Sequence, residues 1–175
     1  TDTETESLPE GLVDINGQQL DLSTVNSWTL KLPDVTTPEV VECMYINVVS
    51  PFILNSRLLP SMKRDKSIPR FVVNVSAMEG KFYRFKTPAH PHTNMAKAAL
   101  NMMTRTCAQD LCKDRVYMNS VDTGWINDEN PLETAKKTHV NNNFMTPIDE
   151  VDAAARCLDF VFRGVQEGWE GEGQG

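Results

Sequence analysis

The chain has 175 residues, 40% of them hydrophobic, which suits one packed domain and is too short for two ordinary ones. Its net charge of −7 is carried by the two ends, by Asp2, Glu4, Glu6 and Glu10 and by Glu167, Glu170 and Glu172. The stretch between them is balanced, so nothing has the basic footprint of a nucleic-acid binder, and no apolar run approaches the roughly 20 residues of a membrane span. Cys43, Cys107, Cys112 and Cys157 form no C-x-x-C pair and are expected as free thiols of a reducing, cytoplasmic setting. No metal-ligand spacing occurs among His, Cys and Asp.

Residues 1–36 are expected as an acidic, disordered start followed by a hairpin. Val13-Asp14-Ile15 and Gln19-Leu20-Asp21-Leu22 flank Asn16-Gly17, a dipeptide that tolerates the positive φ of a tight turn. Thr37 reads as a helix N-cap with Pro38 at the first helical position and Glu39 in the first turn. That helix should run from Pro38 to about Leu59, with Val40, Val41, Met44, Tyr45, Val48, Phe52 and Leu59 on its apolar face and a bend at Pro51. Arg70 to Val75 is short, β-branched and apolar, the pattern of a buried parallel strand. The formal glycosylation sequon Asn74-Val75-Ser76 overlaps its end and is discounted, because it lies in an apolar run.

A second long helix is predicted from Thr93 to about Lys113, with Met95, Ala96, Ala99, Leu100, Met103 and Leu111 toward the sheet and Ala98, Met102 and Cys107 on other sides. Val116 to Val121 is the second strand. Residues 122–147 read as a long loop with one helical turn near Leu132–Lys136. A last helix opens at Ile148-Asp149-Glu150, where Val151, Ala154, Ala155, Leu158, Val161, Phe162 and Val165 follow at helical spacing. The Gly-rich residues 166–175 are expected as a flexible tail.

Strands alternating with helices imply an α/β fold with right-handed crossovers and a parallel sheet. Two strands alone would leave open hydrogen-bonding edges, so a further piece, another chain or the hairpin should cover one.

Four segments in order carry a resemblance. They are Asn47-Val48-Val49-Ser50-Pro51-Phe52, Phe71 to Gly80, Asn94 to Leu100, and Val116 to Ile126. Together they resemble the second half of the short-chain dehydrogenase/reductase fold, over roughly residues 37–165. The resemblance implies a partial doubly wound, Rossmann-like fold with long flanking helices, lacking the first half with its Gly-rich phosphate loop, and the last strand. It also implies an NAD or NADP cofactor, a small-molecule substrate, and homo-oligomers built by pairing the two long helices.

That family works with a Tyr as acid/base and a Lys four residues later, which favours the phenolate and binds the nicotinamide ribose. A Ser positions the substrate carbonyl, and an Asn in the preceding helix holds a relay water. Lys97 matches the Lys and Asn47 the Asn. Thr93 stands at the Tyr position and Ala77 at the Ser position, with Ser76 adjacent. Gly124 and Ile126 fall in the segment that meets the nicotinamide and its carboxamide. His90 and His92 titrate near neutrality and either act as acid or base or fix the local loop; Tyr83 lies in the same loop. Two readings stay open: a divergent NAD(P)-dependent oxidoreductase, or a catalytically degenerate Rossmann-like binding or assembly module.

Overall fold

A computed structural model describes residues 9–13, 19, 22–126 and 146–168. The Asn16-Gly17 turn, the helical turn near Leu132–Lys136 and most of both charged ends lie outside them. Val13 and Gln19 form an antiparallel bridge, as arms of the expected hairpin would.

The first long helix has three parts: α1 (Thr37–Met44), a π-helical turn (Tyr45–Val49) and α2 (Ser50–Met62). Its cap is Thr36 and not Thr37, since the Thr36 side chain accepts from the Glu39 N–H. The bend expected at Pro51 takes the form of the π turn just before it. A proline ring clashes with the carbonyl four residues back, here that of Asn47, and adding one residue to the turn relieves the clash. The helix runs on to Met62, a little past the expected end.

Strand β1 (Arg70–Ser76) pairs in parallel with β2 (Val116–Asp122), with Arg70 opposite Val116 and Ser76 opposite Asp122. They are joined by α3 (Pro91–Cys112). Helix α4 (Glu150–Gln166) opens with a capping box in which Asp149 and Asp152 satisfy each other's backbone N–H.

Alternate residues of a strand point to opposite faces, so the contacts assign the layers. Val72 packs on the cluster of Leu111, Val116 and Met118, joined by Leu59 and Met62 from α2. Asn74, on that same face, donates to Thr104 of α3 at 2.9 Å and accepts from Asn55 of α2 at 3.2 Å. Phe71, on the other face, stacks on Tyr117 and meets Phe160 of α4 edge-on. The result is an α/β/α arrangement, a partial Rossmann-like fold, with α2 and α3 on one side of the strands and α4 on the other.

On α3, Ala96, Leu100 and Leu111 are buried as expected. Met95 is not, and stands about half exposed, while Cys107 packs against the core cluster. Helical phase explains both: Leu100, Cys107 and Leu111 share one stripe, and Met95 falls outside it. On α4, Ala153 and Gly164 face inward, and Val151, Leu158, Phe162 and Val165 are exposed.

Asn74 is buried, so its amide must find partners in the protein. Asn74→Ala strips one hydrogen-bond partner from each of two helices. It should lower the unfolding free energy by about 1–3 kcal/mol, read as a lower urea midpoint at unchanged slope.

Candidate active site

Three of the residues singled out in the sequence come together where α1, α3 and the carboxyl end of β1 meet. Asn47, in the π turn, donates from Nδ2 to the Cys43 carbonyl at 3.0 Å and lies 3.9 Å from Cys43 Sγ. Thr93, in the first turns of α3, lies close enough to the Cys43 thiol for its hydroxyl to favour the thiolate. Lys97, one helical turn on, donates from Nζ to the Val75 carbonyl at 3.1 Å. Asn47 and Lys97 line one cleft of about 440 Å³, walled by Ile46, Leu54, Val72 and Val75.

Local sequence makes this meeting possible. The chain leaving β1 crosses α3 at Gly80, where a Cβ would stand 2.7 Å from the Lys97 backbone carbonyl. Only glycine lets this segment approach α3 so closely. Asn101 holds the crossing by donating to the Gly80 carbonyl at 3.1 Å and accepting from Ser120 at 2.6 Å.

Burial pushes the Lys97 ammonium below the usual lysine range, opposed by Cys43 and Glu79. Burial pushes the Cys43 thiol up, against the Thr93 hydroxyl, with Glu39 adding to the rise and Lys97 and Asn47 opposing it. An acid and a base are thus brought toward each other on the pH scale. Sequence reasoning placed Cys43 only among the free thiols. The signal for it was its spacing, four residues before Asn47 and so on the same helical face.

The other candidates sit differently. Ser76 is 5% exposed at the end of β1, and its hydroxyl has no hydrogen-bond partner; Ala77 follows it in extended backbone. His90 takes a left-handed conformation (φ 41°), meets Trp28 edge-on and donates its N–H to the Leu30 carbonyl. Burial lowers its pKa, so it is neutral near pH 7. His92 is 2% exposed, with Nε2 3.5 Å from Glu39 Oε1, and Glu39 also accepts from Ser27. Both histidines thus tie residues 27–31 and α1 to the start of α3. Tyr83 is exposed beneath the Arg84 guanidinium.

Gly124 has φ +86°, as a residue following the strand with a sharp turn requires, and its N–H donates to Asp122 at 3.0 Å. The space against its Cα is filled by Arg156 and Ile148, and Arg156 donates to the Thr123 carbonyl at 3.1 Å. Ile126 is partly buried. Among the described residues no group of His, Cys, Asp and Glu could hold a metal ion, and no helix is long and apolar enough to cross a membrane.

A parallel strand pair between long helices, with a helix-borne lysine at the carboxyl end of the first strand, defines a Rossmann-like α/β protein with a candidate nucleotide-facing cleft. Residues 23–156 match a family described as enoyl-(acyl carrier protein) reductase, and the chain belongs to this branch of the short-chain dehydrogenases/reductases. An uncharacterized protein of Acanthamoeba polyphaga mimivirus is 30% identical over 153 residues, 83% of this chain and 32% of that protein. The chain therefore spans about a third of the length of this curated relative. Among solved structures it is similar to a 4-hydroxyisoleucine dehydrogenase complexed with NADH (TM-score 0.62, 19% identity, covering 85% of this chain and 62% of that one). It is also similar to a short-chain dehydrogenase from Streptomyces avermitilis (0.59, 20%, 82% and 54%) and to the carbonyl reductase Sniffer of D. melanogaster (0.54, 19%, 73% and 57%). At these identities the structures show the shared fold.

The lowered Lys97 pKa has a consequence for stability. Between its folded and unfolded values the unfolded chain binds more protons, so stability rises with pH there, and at pH 7 the fold carries the cost of a partly buried ammonium. Lys97→Met keeps the stem and removes the charge. It should raise the unfolding free energy at pH 7 by about 0.5 kcal/mol, and the gain should shrink as pH approaches 11. A urea-melt series across that range checks both parts.

Proposed function

We propose that this chain carries the lysine half of a nicotinamide-dependent oxidoreductase of the short-chain type, acting between NAD or NADP and a carbonyl or alcohol of a small substrate. The observation that carries this reading is Lys97, held at the carboxyl end of β1 over a cleft that it shares with Asn47. Ligands of doubly wound folds bind at the carboxyl ends of their strands. An ammonium has three donors, and the hydrogen bond to Val75 uses one, so Lys97 fits a ribose hydroxyl pair. The NADH named with the 4-hydroxyisoleucine dehydrogenase supports the same cofactor class.

The bound nicotinamide would supply or accept hydride. This chain's residues would position the ribose (Lys97), support the bend beside the cleft (Asn47) and shape the turn after β2 (Gly124). The Gly-rich loop that cradles a pyrophosphate does not occur in these 175 residues. Thr93 and Ala77, where the family has Tyr and Ser, favour the second reading, a Rossmann-like binding module without redox activity.

We also propose self-association through the long helices. Val41, Tyr45, Ile46, Phe52 and Leu58 stand more than half exposed along α1, the π turn and α2, as do Met95 and Met102 on α3. A two-fold pairing uses one such patch twice.

The 175-residue chain alone should bind NADH with a dissociation constant weaker than about 10 μM, roughly −7 kcal/mol. Isothermal titration decides this, and tighter binding would mean that the missing phosphate loop is not needed. Sedimentation equilibrium at micromolar concentration should give a dimer mass or higher for the protein and a monomer for Met102→Lys. A monomer for both would remove the helices as a contact surface.

A further inference from the structure

The chain leaves β1 through a loop that neither the core nor the cleft uses. In Lys81-Phe82-Tyr83-Arg84-Phe85-Lys86, cations alternate with aromatic rings. Phe82, Tyr83 and Phe85 are 87%, 79% and 88% exposed, more than any other large hydrophobic side chain among the described residues. We propose that this loop is a membrane-surface anchor, which docks the protein on a bilayer carrying anionic phospholipid. The proposal does not depend on the oxidoreductase reading.

The rings are held out by a pinned backbone. Lys81 pairs with Asp122, the last residue of β2, at 2.6 Å. Lys86 folds back and donates to the carbonyls of Met78 and Glu79, both at 2.8 Å. Between these two anchors the Arg84 N–H donates to the Lys81 carbonyl at 3.3 Å, and the Arg84 guanidinium lies 5.7 Å from the centre of the Tyr83 ring. An aromatic side chain buries about 150–250 Å² when it is covered. Three together exceed the few hundred Å² of contiguous apolar surface that a soluble monomer usually leaves open.

The shape and charge of the loop select its partner. A small ligand needs a concave site, and these rings project from the surface. From Gly80 to Gln109 the sequence has no Asp or Glu, while it holds Lys81, Arg84, Lys86, Lys97 and Arg105, so the partner is anionic. The partners of Lys86 are carbonyls, which leave its charge unneutralised. Phe82 and Phe85 have no polar tip to satisfy, which favours acyl chains over an acidic protein or a nucleic acid. Surface-bound segments combine such rings below the headgroups with cations among them.

The chain's net charge of −7 does not oppose this docking at close range. Helix α4 runs from Arg156, at the Thr123 carbonyl, to Phe160, against Phe71 at the start of β1. Its acidic C-terminal end therefore lies at the far end of the strands from the loop. A seven-residue strand spans about 20 Å, roughly two screening lengths at 0.1 M salt. Docking through the loop turns the carboxyl ends of both strands, and the Lys97 cleft beside them, toward the lipid.

Flotation of the 175-residue chain with vesicles tests the proposal. Phosphatidylcholine vesicles with about 30% phosphatidylserine should bind it at least tenfold more strongly than phosphatidylcholine alone, and raising the salt from about 0.1 M to 0.5 M should weaken that binding. Phe82→Ser with Phe85→Ser should lose at least tenfold in partitioning at an unchanged urea midpoint, since both side chains are exposed. Arg84→Glu should lose binding to the anionic vesicles. In Phe85→Trp the new indole should shift to the blue on binding and be quenched by brominated acyl chains. Absence of wild-type binding to the anionic vesicles overturns the proposal. So does full binding by the paired serine variant, or a bound Phe85→Trp protein whose indole escapes quenching. Tighter binding to polyglutamate or to single-stranded oligothymidylate than to the vesicles would reassign the loop to an acidic macromolecule and overturn the lipid reading.

Discussion

The fold hangs on a polar side chain in the middle of a strand. Two parallel strands have little surface of their own to bury, and the helices must be locked to them in one register. Asn74 does this by holding Asn55 of α2 and Thr104 of α3 at once, while Thr104 passes a further hydrogen bond to the Leu100 carbonyl. An apolar residue at this position would pack, but it would let either helix slide by a fraction of a turn. A satisfied buried network penalises such sliding, because each displaced group loses its partner away from water. Lys97 lies one turn before Leu100 and two turns before Thr104 on α3, so the position of its ammonium over β1 depends on this lock.

The cleft joins residues that the resemblance matches to the family's pattern, beside others that depart from it. Lys97 and Asn47 remain at the cleft, and Gly80 preserves the close crossing that brings β1 under α3. By that resemblance Thr93 stands where the family has its Tyr, and Ala77 where it has its Ser.

Much of this was legible in the sequence, and the parts that were not have a common cause. The strands, the parallel pairing and the three main helices follow from local periodicity, and so does the disturbance at Pro51. Lys97 and Asn47 could be placed because each sits inside a run of matching neighbours. The cap shifted from Thr37 to Thr36 because two adjacent threonines offer the same hydroxyl and only the backbone decides between them. The exposure of Met95 and the packing of Cys107 were not legible, because they depend on the angle at which one helix meets another. Burial of Ser76 beside exposed Val75 likewise depends on which strand face the helices cover.

Helix α4 shows how that angle can reverse the meaning of a sequence pattern. Its large apolar side chains, Val151, Leu158, Phe162 and Val165, face outward, and its sheet-facing positions include the small residues Ala153 and Gly164. Tolerance along this helix should therefore run against hydrophobicity. Polar replacements at the outer positions leave this domain's interior untouched, whereas a single added methyl group at Ala153 enters it. Arg156 rides on the same helix and fills the space against Gly124, so bulk introduced at Ala153 would be felt as a displaced guanidinium at the turn after β2.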